Sequence, residues 1–392
     1  MGRSAPHILI VAGEASGDLH GAHLARALQE LAPGVTIAAM GGPALAAQGA
    51  TMLADAAKLA VVGLVEVVSH FGEIRAAMAA LTHHLRTERP DLVVLIDYPD
   101  FNLHLARKAK KLNIPILYYI SPQVWAWRSG RVRTIRRLVD RMAVILPFEQ
   151  NFYARYGMAV DFVGHPLLDS VCASLSREKF CARHGIPPGN TLIGLLPGSR
   201  QRELAVMLPI FLAAAEQLAA NQPNLTFLLP MAPTVSRPDL DRCGLAATTL
   251  DVRVVAEGRY DLMAACQVAM AASGTVTLEL AILGVPMVVS YRVSKLTYGL
   301  GRRLIKVAYA SLVNLVANER VVEELLQAEA TPEKISQAVG RLLDDDEYRR
   351  AMIGKLHQVR QALGKPGASR RTAQLALAMI DRSAISQERK DE

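Results

Sequence analysis

The 392-residue sequence has only four cysteines, Cys172, Cys181, Cys243 and Cys266, and no pair of them stands in a C-x-x-C spacing. That excludes a disulfide scaffold and a thiolate zinc knuckle, and it leads us to expect buried, reduced thiols in a cytoplasmic protein. No run of 18 apolar residues occurs. The amino-terminal MGRSAPHILIVAGEASGD holds an apolar stretch of only about five to seven residues before Glu14, too short for a secretory core or a membrane span. Lying on a membrane surface stays open. The ten histidines make no metal site, because His20 and His23 lack a third ligand nearby and His83 and His84 are adjacent. Neither G-x-x-x-x-G-K-[ST] nor G-x-G-x-x-G occurs, which sets aside a P-loop ATPase and a dinucleotide dehydrogenase. No Ser/His/Asp or Cys/His arrangement, helix-turn-helix element, RNA-recognition aromatic motif, short repeat or low-complexity tract is present.

Apolar residues make up 51% and charged residues 20% of the chain, a globular balance with ample material for buried cores. The length is about 2.6 times a ~150-residue domain, so two domains are expected. Lys and Arg number 44 against 36 Asp and Glu, and the resulting +8 favours an anionic partner without naming it.

Apolar runs alternate with helical patterns. HILIVAG, a helix from about Gly21 to Leu31, TIAAMGG, a helix near Pro43 to Gln48, LVVLIDY and IPILYYI read as parallel strands covered on both faces. The series restarts at LIGLLPGS and continues through TFLLPM, DVRVVAE, QVAMAAS and PMVVSY. Gly164 and Pro166 punctuate the chain between the series. The expected domains are therefore 1–166, 167–365, and a carboxyl-terminal helix with a frayed polar tail over 366–392. The fold class is α/β, with two doubly wound, Rossmann-like domains facing across a cleft, and ligands are sought in the loops after the strands.

Four such loops carry chemistry. In ASGTVTLELAILGVP, Ser273, Gly274 and Thr275 precede a helix whose amides and dipole suit a phosphate, and Glu279 one turn on suits ribose hydroxyls; helix capping is the alternative role. In LLPGSRQRE, Gly198, Ser199 and Arg200 suit a pyrophosphate, or form a basic turn. In LVVLIDYPDFN, Asp97 and Asp100 stand at the end of a strand, each a general base or a cap for a helix starting near Asn102. In AGEASGDLHGA, Glu14, Ser16, Gly17 and Asp18 suit a sugar or a phosphate, or tight packing.

The segment SPQVWAWRSGRVRTIRRLVDRM holds both tryptophans, Trp125 and Trp127, and the arginines Arg128, Arg131, Arg133, Arg136, Arg137 and Arg141. It suits phosphate, a lipid headgroup layer or an exposed basic helix. Apolar residues at helical spacing from Val61 to Leu81 suit either the core or acyl chains. SKLTYGLGRRLIKV interleaves Arg302 and Arg303 with leucines, as an anionic surface would require.

Taken in order, AGEASGDLHGA, MGGPALAAQG, IDYPDFN, YYISPQVWAWR, LPFE, FVGHPLLD, LLPGSRQRE and ASGTVTLELAILGVPMVV closely resemble the lipid-A-disaccharide synthase family over roughly residues 7 to 327. The resemblance implies a GT-B hexosyltransferase of lipid A and lipopolysaccharide biosynthesis. It implies transfer from UDP-2,3-diacylglucosamine to 2,3-diacylglucosamine 1-phosphate with inversion, giving a β-1,6-linked disaccharide and UDP. It further implies UDP at Gly198, Ser199, Arg200, Ser273, Gly274, Thr275 and Glu279, with Asn314 in a further nucleotide contact. Asp100 is the expected base and Asp97 the reserve. Glu14, Ser16, Gly17, Asp18, Trp125, Arg128, Arg302 and Arg303 are assigned to the acceptor and membrane side.

No cofactor or metal is expected, and the expected location is the inner face of the cytoplasmic membrane, peripherally bound. Departures from the family lie at Val313, Asn318, the Glu319-Arg320 order and Glu323, whereas Asn314, Glu324 and Gln327 match. The competing readings are another UDP-N-acetylglucosamine enzyme of this fold, either the peptidoglycan glycosyltransferase or the 2-epimerase, and a non-catalytic membrane or nucleic-acid binder.

Overall fold

The computed structural model describes residues 5–56, 71–232, 234–293 and 307–391. Within them the chain forms two compact units, one running up to Pro166 and resuming at Lys365, the other Leu167–Gly364. In the first, β1 (His7–Ala12), β2 (Thr36–Gly41), β3 (Thr51–Asp55), β4 (Leu92–Ile96), β5 (Ile116–Tyr119), β6 (Arg141–Val144) and β7 (Asp161–Phe162) form one sheet. Its order is β3-β2-β1-β4-β5-β6-β7, with every pairing parallel. Strands buried on both faces need unbroken apolar runs. Accordingly Leu9, Val11, Val93 and Leu95 pack with Leu81, Leu85 and Phe101 on one face. Ile8, Ile10, Val94 and Ile96 pack with Leu24 and Leu28 on the other.

The carboxyl-terminal helix Ala368–Asp391 closes this first unit. Ala368, Ala373 and Ala376 are fully buried in its core, and Arg371 Nε donates to Val163 O at 2.8 Å. The expected separate carboxyl-terminal helix is thus part of the first unit: it runs over Ala368–Asp391, and its first half packs on the amino-terminal sheet. Small side chains let it approach closely.

In the second unit, β8 (Thr191–Leu196), β9 (Leu225–Pro230), β10 (Val252–Val255), β11 (Val268–Ala272), β12 (Met287–Tyr291) and β13 (Glu323–Leu326) take the order β10-β9-β8-β11-β12-β13. All its pairings are parallel too. Helix Gln201–Asn221 is long and apolar enough to cross a membrane by length and composition. It buries Leu204, Met207, Leu208, Phe211, Leu212, Ala214, Ala215 and Leu218, as a core helix does.

Two helix starts differ from the sequence expectation. The helix after β1 begins at Ala15, because Glu14 is extended and its carbonyl already accepts from Asp18 N at 2.8 Å. The helix after β4 begins at Pro99, whose fixed φ suits a first turn. Of the apolar stripe, Ile74, Met78 and Leu81 face the first unit's own core. Residues 57–70 lie outside the described residues. Among the cysteines only Cys266 is buried, and Cys172 is exposed.

Candidate active site

In a doubly wound sheet the binding crevice opens where strand order reverses. In the first unit that point lies between β1 and β4, whose register sets Ala12 beside Ile96. Glu14 and Asp97 therefore emerge from adjacent strand ends. Asp97 and Tyr98 both adopt left-handed backbone, with φ of 44° and 45°. Such non-glycine residues cost about 1–3 kcal/mol each and persist only where surroundings hold them. Here Asn102 Nδ2 donates to Asp97 O at 2.7 Å and to Ile96 O at 3.2 Å, and the Tyr118 hydroxyl donates to Asp97 O. Gly13 completes the fit, since a Cβ there would lie 2.2 Å from the Tyr98 ring.

The Asp97 carboxyl lies half-buried at this strand end. Burial, and then the charge of Glu14, push it up to about 6. Asp100, the base expected from sequence, is 77% exposed and ion-paired instead. Arg131 bonds one of its oxygens, and Arg128 stands 3.9 Å from the other. The two carboxylates thus differ in setting: Asp97 is half-buried with a raised carboxyl, and Asp100 is exposed and paired with the loop arginines.

The acceptor-side residues divide as well. Glu14 and Ser16 are exposed at the loop. Gly17 is buried, and a Cβ there would touch Ala12 at 3.4 Å, so it serves helix-on-strand packing. Asp18 is 4% exposed, and its carboxylate accepts from Gly42, Ala44 and Leu45 amides at 2.7, 2.9 and 3.1 Å. It caps helix Pro43–Ala47 from outside, so this acid assigned to the acceptor is buried and spends three of its acceptor positions on backbone amides. Trp125 is partly buried, donating Nε1–H to Glu149 at 3.2 Å, and Arg128 stacks over the exposed Trp127 ring at 4.1 Å. Arg302 and Arg303 lie outside the described residues.

In the second unit the reversal falls between β8 and β11, so the two glycine loops stand side by side. Gly198 has φ 110°, and a Cβ there would meet Glu203 Oε2 at 2.5 Å. Arg200 and Ser199 are exposed, and Glu203 accepts from Arg200 N at 3.4 Å at the start of helix Gln201–Asn221. After β11, nothing lies within 4 Å of a Cβ built at Gly274, and Thr275 is exposed at the start of helix Val276–Leu283. The Thr277 and Leu278 amides already donate to the Gly274 and Thr275 carbonyls at 3.2 and 3.0 Å, so it is the open space at Gly274 and the helix dipole that suit an anion.

Ser273 Oγ donates to Ala310 O at 2.8 Å. Glu279 is 8% exposed at its side chain, with Arg259 Nη2 on Oε1 at 2.8 Å. Burial raises its carboxyl, with Arg259 and Tyr260 opposing. Among the described residues no donor reaches Oε2, which leaves one oxygen for a hydroxyl-bearing ligand.

Asn314 is fully buried and saturated. Its Oδ1 accepts from Val321 and Val322 amides, and Nδ2 donates to Val322 O and Glu324 Oε1. Glu324 in turn holds the Ala310 and Ser311 amides at 2.9 and 2.8 Å. Asn314 therefore supports the carbonyl on which Ser273 rests, and its own polar atoms are taken up by residues seven to ten positions on, in place of the nucleotide contact the resemblance implied. Sequence reasoning gave no role to Tyr98 or Glu149, although they lie in IDYPDFN and LPFE, and passed over Arg259 and Tyr260, which no motif marks. Among the described residues, no cluster of three or more metal-ligating side chains occurs.

The family model described as lipid-A-disaccharide synthetase matches residues 8–379. The lipid-A-disaccharide synthase of Geobacter sulfurreducens is 48% identical over 373 residues, covering 95% of this chain and 97% of its own. That of Nitrosococcus oceani is 48% identical over 381 residues, covering 97% and 98%. Among solved structures, the UDP-GlcNAc 2-epimerase of Neisseria meningitidis bound to UDP-GlcNAc superposes with a TM-score of 0.61 at 12% identity, covering 96% of this chain and all of that one. The fold class is that of GT-B glycosyltransferases and related epimerases. The chain belongs to the lipid-A-disaccharide synthase family, glycosyltransferases of lipid A biosynthesis.

Proposed function

We propose that the chain joins UDP-2,3-diacylglucosamine to 2,3-diacylglucosamine 1-phosphate, with Asp97 as the general base. The observation that carries this reading is the partly buried Asp97 carboxyl at the first sheet's crossover point, pushed up to about 6 beside Glu14. A base of that strength is ionised at neutral pH yet still able to take a proton. In this reading Asp97 takes the proton of the acceptor 6-hydroxyl as that oxygen attacks the donor anomeric carbon from the face opposite UDP. The carbon–oxygen bond to the diphosphate breaks and its electron pair leaves with UDP. The disaccharide carries the new β-1,6 bond, and Asp97 returns its proton to solvent.

The second unit supplies the donor site in the same reading. Arg200 and the dipole of helix Val276–Leu283 meet the charge that grows on the leaving diphosphate, so in this reading the chemistry needs neither metal nor cofactor. Glu279 Oε2 accepts from ribose. The UDP-GlcNAc held by the Neisseria epimerase supports a UDP-sugar here, since that protein shares the fold.

Acylated sugars stay in a bilayer, because each buried methylene contributes about 0.8 kcal/mol. We place the enzyme peripherally on the inner face of the cytoplasmic membrane. Arg133, Arg136 and Arg137 support this, lining one groove with Val132 and Tyr156. A UDP-release assay tests the function: release that requires both acylated sugars supports it, whereas release from the donor alone at the same rate contradicts it.

A further inference from the structure

A buried carboxylate that the transfer step leaves unused lies beneath the loop bearing Trp125, Arg128 and Arg131. Glu149 is 1% exposed. Three N–H donors converge on it: Trp125 Nε1 on Oε1 at 3.2 Å, and the amides of Ile145 and Leu146 on Oε2 at 3.2 and 3.0 Å. Ser121 borders it and shares a 2.7 Å hydrogen bond with the Tyr153 hydroxyl. The Trp125 ring is held from a second side by Phe148, edge-on with centroids 5.0 Å apart.

What these bonds hold is a segment with little stability of its own. Helix Val124–Trp127 is a single turn, followed by a 3₁₀ turn over Ser129–Arg131, and neither has a side-chain cap. Isolated turns this short do not persist in water. Yet this segment presents Arg131 and Arg128 to Asp100, in the first turn of the helix that follows Asp97. An apolar side chain of similar volume would fill the space around Glu149 without a desolvation penalty. The carboxylate is explained by the bonds it makes.

We propose that Glu149 is a positioning residue for the transfer reaction: through Trp125 it fixes residues 121–131, and so holds the arginines that brace the helix start next to Asp97. The proposal rests on the acceptor side of the reaction lying at this end of the first sheet. Tyr153 is the titratable group facing Glu149 among the described residues, and burial raises both. The Glu149 carboxyl stands at about 7, so the brace is pH-sensitive near neutrality.

The test uses Glu149→Gln, Trp125→Phe and their combination in the full chain. The expected result is a kcat about tenfold lower in each single variant, the worth of one hydrogen bond to a charged group, with unchanged affinity for UDP. The double variant falls no further than the worse single one, because both act through one bond. In a Trp127→Phe background, Trp125 emission shifts with a midpoint near pH 7, and Glu149→Gln abolishes that shift. Multiplicative losses in the double variant, or UDP affinity falling in parallel, would overturn the proposal. Where Glu149→Gln does not fold, Trp125→Phe decides, since a parental kcat there equally overturns it. Asp97→Asn serves as the control: its retained turnover would sink the base assignment while leaving the Glu149–Trp125 coupling to be judged on its own numbers.

Discussion

Asp97→Asn is expected to raise stability while abolishing turnover. Burial and Glu14 move the Asp97 carboxyl from 3.8 to about 6, a difference worth about 3 kcal/mol at 1.36 kcal/mol per pH unit. Because the folded value is raised, the stability is fully present below pH 3.8, where the carboxyl is protonated in both states. It falls as pH rises through 6, because ionisation is easier in the unfolded chain. Asparagine cannot ionise and tolerates the left-handed backbone at this position. The variant should therefore match the parent near pH 3.5 and exceed it by up to about 3 kcal/mol at pH 8, read by denaturant unfolding.

Turnover should fall by roughly 10²- to 10⁴-fold, the usual worth of a general base. In the parent, kcat/KM should rise with pH and reach half its maximum near pH 6. Glu14→Gln should move that midpoint down, since it removes a raising charge, whereas Asp100→Asn should leave it in place. An acid limb that moves with Asp100, or an Asp97→Asn variant of parental activity and stability, refutes the reasoning.

Asn314→Ala strands the buried Val321 and Val322 amides and removes one donor from Glu324, which should cost about 3 kcal/mol or more. For a unit of this size that lowers Tm by roughly 6–12 °C in calorimetry, and UDP affinity should fall with it as the support under Ser273 loosens. Gly13→Ala should depress kcat with UDP affinity retained, because the added methyl meets the Tyr98 ring and displaces the strained pair beside it. Arg133→Glu with Arg137→Glu should weaken sedimentation with anionic phosphatidylglycerol vesicles by at least about fivefold per arginine at low salt. Binding to neutral vesicles should not change.

The two sheets were legible because parallel strands buried on both faces must be written as solid apolar runs, and LVVLI and VAMAA are such runs. The glycine loops were legible because Gly198 and Gly274 follow strands directly. What local pattern did not carry was long-range pairing. The difference between Asp97 and Asp100 turns first on burial and then on Glu14, which lies more than eighty residues away and is adjacent only through the β1–β4 register. Asp18 sits in a motif that looks like a ligand loop, yet the amides of Gly42, Ala44 and Leu45 bond its carboxylate, and the Asn314 amide group is taken up by Val321, Val322 and Glu324. The docking of Ala373 and Ala376 on the first sheet left only a helical period in the sequence, with no mark of which unit would receive it.

The most direct test incubates the purified protein, in the presence of a metal chelator, with UDP-2,3-diacylglucosamine and 2,3-diacylglucosamine 1-phosphate, and follows the products by mass spectrometry and NMR. The account predicts equimolar UDP and a disaccharide 1-phosphate bearing a β-1,6 bond. No disaccharide while a known synthase makes it under the same conditions, or an α-linked product, would contradict it.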